Sequence, residues 1–377
     1  MPLASGPLRE LLKVYGTEPP LTPVRATGVW LVSEMPIPEG FAGYLVPEQL
    51  RPRQTELPAG SARMVLPASF DYLAQGDIVR LNWARGSIGV LFRRASHYNT
   101  LLVTEQCNHY CLMCSQPPKR PEDRWLVEDA QQLVRMLPLD TESLGISGGE
   151  PTLLGEDLLE LLRLTRVHLP KTKVDLLSNG RRFANSEFVR AYASVGHSHL
   201  TVGIPLYSDD PARHDHIVQA QGAFDETVRG ILNLKRLNQQ VEVRVVLHAL
   251  SVPRLTELAR YLTRNLLFVD HVALMGLEMT GFTLANLADL WIDPYDYRQE
   301  LEEAVSILDR AGMQVSVYNL PLCIVPRTIE QAYRRSISDW KNEYLPQCAG
   351  CTRRQECGGF FSSALRTRVS SHVEPFT

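Results

Sequence analysis

Cys107-Asn108-His109-Tyr110-Cys111-Leu112-Met113-Cys114 places three cysteines within eight residues. The spacing is Cys-x3-Cys-x2-Cys, with no fourth cysteine or histidine in ligand position beside it. Three thiolates can hold three irons of a cubane cluster and leave the fourth iron without a protein ligand. That open position is what a metal centre needs to bind and activate a small molecule. A zinc knuckle or a group of buried thiols is the plainer reading. Zinc knuckles, however, run Cys-x2-Cys and need a fourth ligand nearby.

Outward from this loop the chain alternates strands and helices. The apolar run 101–104 leads into the cysteines, and a helix near 127–137 precedes a strand at 143–147. The same alternation gives strands at 173–177, 200–204, 241–247 and 269–275, with helices near 156–168, 185–195, 223–238, 254–266 and 295–311. Six βα units imply an α/β fold with a parallel sheet and right-handed crossovers, too few to close an eight-fold barrel. In such folds the site collects at the carboxyl ends of the strands, where the cysteine loop lies. Residues 1 to about 66 are rich in proline, whereas 77–81 and 88–92 alternate apolar residues around a turn near Arg85-Gly86. We therefore expect a small β-rich N-terminal module over residues 1–98, a barrel over 99–318 and a cysteine-rich C-terminal region over 319–377.

Four further features sit at strand ends or inside the sheet. Ser147-Gly148-Gly149-Glu150-Pro151 directly follows the second strand, and its glycines let the backbone approach a ligand closely. Ser178-Asn179-Gly180 ends the third strand; short polar side chains there could bond a ribose or carboxylate, or simply form a helix-starting turn. On the fifth strand, packing of Val243, Val245 and Leu247 under helices turns Arg244 toward the lumen, where it can hold a carboxylate bidentately; the rival is an internal ion pair between Glu242 and an arginine or lysine of a neighbouring strand. Glu278, just past the sixth strand, is the one candidate catalytic side chain, with loop solvation as the alternative.

A second cysteine group, Cys348-x2-Cys351-x5-Cys357 with Cys323 upstream, closes a four-thiolate site that suits structural zinc or an iron–sulfur cluster. His109 lies inside the first loop, where facing solvent or supporting a ligand is expected rather than ligation, and His214 and His216 lack partners at ligand spacing.

The remaining composition is ordinary. The chain has 377 residues, 44% hydrophobic and 21% charged, with a formal net charge of -3, which gives no sign of nucleic-acid binding. Its longest apolar stretch, from Leu266 to Leu277, is interrupted by Asp270 and His271 and is too short to span a bilayer. The N-terminus shows no basic segment followed by an apolar core. Seven cysteines in two clusters fit metal ligation in a reducing cytoplasm better than disulfides. We expect a cytoplasmic protein without nucleic-acid or membrane partners.

The cysteine loop, with Gly-Gly-Glu-Pro one βα unit later, resembles the signature of the radical S-adenosylmethionine (radical SAM) enzymes. The resemblance implies a partial (β/α)6 TIM-like barrel and a [4Fe-4S] cluster on Cys107, Cys111 and Cys114, with S-adenosylmethionine chelating the open iron. In that family, reductive cleavage of this cofactor yields a 5'-deoxyadenosyl radical that removes a hydrogen atom from substrate. It assigns Gly148, Gly149 and Glu150 to the methionyl amino group, Ser178 and Asn179 to ribose or carboxylate, and Arg244 to the methionyl carboxylate. Met113 stands where many members carry an aromatic residue beside the adenine, a departure that a polarizable thioether can accommodate. The C-terminal cysteines are similar to SPASM and Twitch auxiliary-cluster regions, which implies a second [4Fe-4S] cluster on Cys323, Cys348, Cys351 and Cys357, with zinc as the alternative.

A closer resemblance is to the His-Xaa-Ser system radical SAM maturase, C component. It is carried by Cys107 through Pro118, Leu277-Glu278-Met279-Thr280-Gly281-Phe282 and Leu290-Trp291-Ile292-Asp293-Pro294. Tyr318-Asn319-Leu320-Pro321-Leu322-Cys323 and Ser338-Asp339-Trp340-Lys341-Asn342-Glu343-Tyr344-Leu345 add to it. It implies a small ribosomal precursor peptide as substrate, a paired radical SAM maturase and a reductant such as flavodoxin or ferredoxin. No winged-helix leader-recognition pattern precedes the barrel. Two other readings stand beside this one: a radical SAM enzyme acting on a small molecule or nucleoside, and a zinc-stabilised binding protein.

Overall fold

A computed structural model describes residues 9–335 and 342–377, so Ser338–Lys341 of the last segment quoted above lies outside the described residues. The N-terminal sheet has six strands: β1 (Glu10–Tyr15), β2 (Gly28–Leu31), β3 (Gly43–Pro47), β4 (Arg63–Leu66), β5 (Ile78–Asn82) and β6 (Ser87–Phe92). Their order is β4-β3-β2-β1-β5-β6, with β1 through β4 mutually parallel and β5 and β6 antiparallel. Only β5 and β6 were legible as strands. The other four are four to six residues long and are separated by proline-containing connections that mask any period.

The second sheet holds β7 (Asn99–Leu102), β8 (Ser143–Ser147), β9 (Lys173–Leu177), β10 (Leu200–Pro205), β11 (Gln240–Leu247), β12 (His271–Gly276) and β13 (Val315–Tyr318). All seven are parallel and follow one another in order, with β7 and β13 at the open edges, so the sheet curls without closing. Six of these strands coincide with the six expected. The seventh, β13, is an addition: four residues, Val-Ser-Val-Tyr, carry too little periodicity to be distinguished from a loop.

Alternation along these strands separates two environments. Val243, Val245 and Leu247 of β11, Val272 and Leu274 of β12 and Val317 of β13 are buried in the core under the helices. Helix 223–236 supplies Phe224, Ile231 and Leu234 to that layer, at helical spacing. The opposite face lines the lumen with Thr100, Gly145, Asp175, Gly203, Glu242, Arg244 and His271, a polar set with small residues that leave room. A Cβ on Gly203 would meet Arg244 Nε at 2.8 Å, so a side chain there would displace the arginine. Among the described residues no helix is long and apolar enough to cross a membrane.

The N-terminal sheet packs on the barrel's first helix, Trp125–Met136. Leu11, Ile78 and Phe92 join the barrel core, and Arg80 pairs with Asp129 at 3.1 Å. The Arg9 and Arg80 guanidinium groups lie 3.9 and 4.6 Å from the Trp125 ring centre, a double cation–π contact. Trp125→Ala should therefore cost about 1–3 kcal/mol, combining lost packing and lost cation–π attraction. In urea titration the expected result is a lower midpoint and earlier proteolytic release of the N-terminal segment; an unchanged midpoint would show that this contact does not hold the module.

Candidate active site

The cysteine loop leaves β7 and is gripped from three sides by backbone. On the β8 side, Gly149 N donates to Thr104 O at 2.9 Å and Glu150 N to Gln106 O at 2.7 Å. These bonds need the glycines: a Cβ at 148 would meet Thr104 O at 2.4 Å, and one at 149 would meet Gln106 O at 2.2 Å. From a second side, helix Pro211–Val218 ends against the loop, where Ile217 O accepts from Leu112 N at 3.0 Å and Val218 O from Tyr110 N at 3.2 Å. Carbonyls that a helix terminus leaves unpaired are satisfied by the loop. The third side is the segment after β12: Phe282 N donates to Cys114 O at 2.8 Å, Thr283 Oγ1 to Met113 O at 3.2 Å and Asn286 Nδ2 to Leu112 O at 2.9 Å. Gly281, at φ +57°, allows this approach, since a Cβ would meet Cys114 O at 2.3 Å.

The three thiols are brought together in a desolvated place. Burial, then neighbouring charge that includes Cys114, pushes the Cys107 thiol up to about 11. Burial and the charges of Cys114 and Cys107 push Cys111 further up, and burial raises Cys114. Three close thiolates without a cation repel one another, and the irons of a cluster supply the positive charge they lack. Thiolates are the donor type such a cluster takes, but among the described residues no group of three or more His, Cys, Asp or Glu side chains stands close enough together to hold a metal ion. His109 is buried and turned to Cys111, with Nδ1 3.9 Å from its sulfur, and burial, then Arg181 and His214, push its imidazole down to about 3.

Glu150 is 1% exposed and its carboxylate is already engaged. Oε1 accepts from Thr152 N, Thr152 Oγ1 and Ser178 Oγ at 2.9, 2.6 and 2.8 Å, and Oε2 accepts from Asn179 N at 2.6 Å. Glu150 therefore ties the end of β8 to the end of β9, and what its loop offers a methionyl amino group is backbone at Gly148 and Gly149. Ser178 is committed to the same clasp. Asn179 reaches the cysteine loop instead, with Nδ2 2.6 Å from Asn108 Oδ1. Met113 is buried among Tyr207, Ile217, Val218 and Leu290, so an adenine beside it would meet the loop's backbone rather than an exposed thioether. Arg244 faces the lumen with Nε 2.5 Å from Glu242 Oε1, and Glu242 also meets His271. The backbone carbonyl of Glu278, a part-buried residue, accepts from Thr280 N at 3.0 Å.

Sequence reading missed two neighbours. Arg181 bonds Glu226 at 2.5 Å and approaches Asn108 O at 3.4 Å, behind the cysteine loop. Tyr207, just past β10, belongs to the buried cluster of Met113, against which Cys111 packs; burial, then the charges of Cys111 and Cys114, raise its phenol well above the ordinary value, and Arg244 opposes this. Neither residue carries a motif; only the strand order brings them here.

The second cysteine group also converges. Cys323, Cys348, Cys351 and Cys357 line one cavity of about 350 Å³ with Tyr344 and Phe360. Leu322 N and Gly359 N each donate to Cys357 Sγ at 3.3 Å, the arrangement a ligating thiolate uses to spread its charge. Burial, followed by the charges of Cys357 and Cys348, raises Cys323. Four thiolates fit either a cubane cluster or zinc and leave neither an open position.

Between the two groups lies a cleft of about 500 Å³, lined by Leu277, Met279, Trp291, Asn319, Phe360 and Arg368 among others. It is built at the carboxyl ends of β11, β12 and β13.

Residues 101–262 match the family model of the radical SAM superfamily. Characterised relatives include the GTP 3',8-cyclases of Pasteurella multocida, 28% identical over 162 residues (41% of this chain, 46% of that protein). That of Actinobacillus pleuropneumoniae serotype 7 is 36% identical over 145 residues (37% and 41%). The chain thus spans less than half the length of these relatives. Among solved structures, anSMEcpe with bound AdoMet and the Kp18Cys peptide aligns with a TM-score of 0.50 at 14% identity, over 74% of this chain and 92% of that one. Streptococcus suis SuiB aligns with a TM-score of 0.48 at 18% identity, over 60% and 50%. At 14% identity the likeness to anSMEcpe shows the fold alone.

Gly281→Ala combines a strained φ with a clash on Cys114 O, and should loosen the loop. Iron per chain after anaerobic reconstitution is expected to fall to about half the wild-type value, with the C-terminal site still filled. Full retention of iron would show that the segment after β12 does not set the loop's geometry.

Proposed function

We propose, from a barrel segment that belongs to the radical SAM superfamily, that this chain is an oxidoreductase that modifies a polypeptide held at the barrel mouth. Cys107, Cys111 and Cys114 would hold the [4Fe-4S] cluster, and Gly148, Gly149, Asn179 and Arg244 would contact S-adenosylmethionine. When bound, these groups supply the electron and the 5'-deoxyadenosyl radical that abstracts hydrogen. The protein's part is orientation and exclusion of water: three backbone grips fix the loop, and the polar lumen receives the reacting end of the substrate. We further propose that Cys323, Cys348, Cys351 and Cys357 carry an auxiliary [4Fe-4S] cluster, a closed site suited to electron relay rather than to substrate ligation. A paired maturase and a flavodoxin- or ferredoxin-type reductant are the partners this reading requires.

One observation carries the polypeptide assignment. The segments that resemble the His-Xaa-Ser maturases are far apart in sequence, yet Leu277 and Met279, Trp291, Ile292 and Pro294, and Asn319, Leu320 and Pro321 line the same cleft. An open, largely apolar cleft suits side chains of an extended peptide. The second reading, a small nucleotide as substrate, is favoured by the identity to GTP 3',8-cyclases over the barrel segment.

The two readings separate in one assay. With dithionite and S-adenosylmethionine, 5'-deoxyadenosine release by the full chain should rise at least about tenfold with a synthetic peptide bearing His-Xaa-Ser repeats and not with GTP. Stimulation by GTP alone would transfer the assignment to the nucleotide reading.

A further inference from the structure

Positive charge is concentrated toward the C-terminal end of the chain. Residues 319–377 hold eight arginines and lysines against five carboxylates, a net +3, whereas the whole chain carries -3. Only part of that charge is neutralised locally. Arg353 is paired with Glu330 and Glu356. Arg354 and Arg368 are exposed and, among the described residues, have no carboxylate partner. Each lies on an aromatic ring instead: Arg354 stands 4.6 Å from the Tyr344 ring centre, and Arg368 stands 5.3 Å from that of Trp291. A guanidinium held on a ring face keeps its charge, and the N–H donors at its edge stay free for a carboxylate.

Both arginines stand at openings already described. Arg368 and its ring, Trp291, line the cleft of about 500 Å³, while Arg354 and its ring, Tyr344, line the cavity of the second cysteine group. The two openings adjoin, since Pro321 and Phe360 line both. Of the described residues that line them, only Glu374 is a carboxylate. The result is a largely apolar surface edged by two unpaired cations, complementary to an extended polypeptide that carries carboxylates beside apolar side chains. The rings also hold the guanidinium groups in place, which lowers the entropy lost when a carboxylate binds.

We propose that this face binds an acidic segment of the polypeptide substrate, which leaves the cleft past Arg368 and runs over Phe360 toward Arg354. The segment flanks the reacting residue in sequence and sets which polypeptide is accepted. Its carboxylates meet the guanidinium edges and its apolar side chains meet Phe360; no bond is made or broken. Glu374 repels a carboxylate brought close to it, so the charge is taken at the arginines rather than within the cavity. Residues 1–318 carry a net -6, which disfavours a long uniform polyanion such as nucleic acid and favours a short acidic segment. The inference rests on the polypeptide reading above and deepens it by naming the charge of the flanking sequence.

Fluorescence anisotropy with the full chain, purified anaerobically, tests this without turnover. Two labelled synthetic peptides are compared, each bearing a His-Xaa-Ser repeat, one flanked by a run of glutamates and the other by glutamines in their place. The glutamate peptide is expected to bind about tenfold or more tightly at about 50 mM salt, with most of that advantage lost at about 300 mM. Arg354→Glu combined with Arg368→Glu should abolish the preference. Arg354→Lys with Arg368→Lys should keep most of it, which separates charge from packing. If the charge-reversed pair does not fold, Arg354→Gln with Arg368→Gln carries the same expectation. Equal binding of the two peptides, or a preference that survives loss of both charges, overturns the proposal. Tighter binding of a single-stranded RNA through the same arginines also overturns it and gives the face to nucleic acid. Stimulation of 5'-deoxyadenosine release by GTP and not by peptide would instead overturn the polypeptide reading, on a measurement independent of this one.

Discussion

Everything at the site depends on how closely the turn after β8 can approach the loop after β7. Two backbone bonds, Gly149 N to Thr104 O and Glu150 N to Gln106 O, join them, and no side chain larger than hydrogen fits at positions 148 and 149. The usual account of such glycines is that they make room for a ligand. Here they first make room for the cysteine loop itself, and only then leave backbone exposed at its rim. Glu150 completes the arrangement by turning its carboxylate inward, where four donors hold it and β8 is tied to β9. Burying that carboxylate raises its affinity for a proton, which the four donors oppose.

A consequence is a division of labour along the sheet. The β7–β10 side fixes the metal-binding loop through backbone, with helix Pro211–Val218 closing over it. The β11–β13 side, through the segments following each strand, shapes the cleft and reaches the second cysteine group. Gly281 through Asn286 belongs to both, since it grips Cys114 and Leu112 while the preceding Leu277 and Met279 line the cleft. The cleft and the cysteine loop are therefore joined by one short segment.

How much of this the sequence discloses follows from physical scale. Strand–helix alternation is a local signal, and it located six of the seven barrel strands and the β-rich character of the N-terminal region, while cysteine spacing singled out the loop after β7. The short strands β1 to β4 and β13 are stabilised by pairing rather than by their own pattern, so they were not legible. Sequence does not show rival partners in space: Glu150 is bonded by Thr152, Ser178 and Asn179, and Met113 packs in the Tyr207–Leu290 cluster. Tyr207 and the His271–Ser316 contact have no sequence signature, because they depend on the register of strands some tens of residues apart.

The central claim is that Cys107, Cys111 and Cys114 hold a cluster with one open iron while the C-terminal thiolates hold a closed one. Electron paramagnetic resonance of the reduced, anaerobically purified full chain, with iron and sulfide counted on the same sample, tests it most directly. The account predicts about eight irons per chain, falling to about four in Cys111→Ala, and a spectrum altered by S-adenosylmethionine in the wild type only. No iron after anaerobic reconstitution, with zinc in its place, would contradict it and leave a zinc-stabilised binding protein instead.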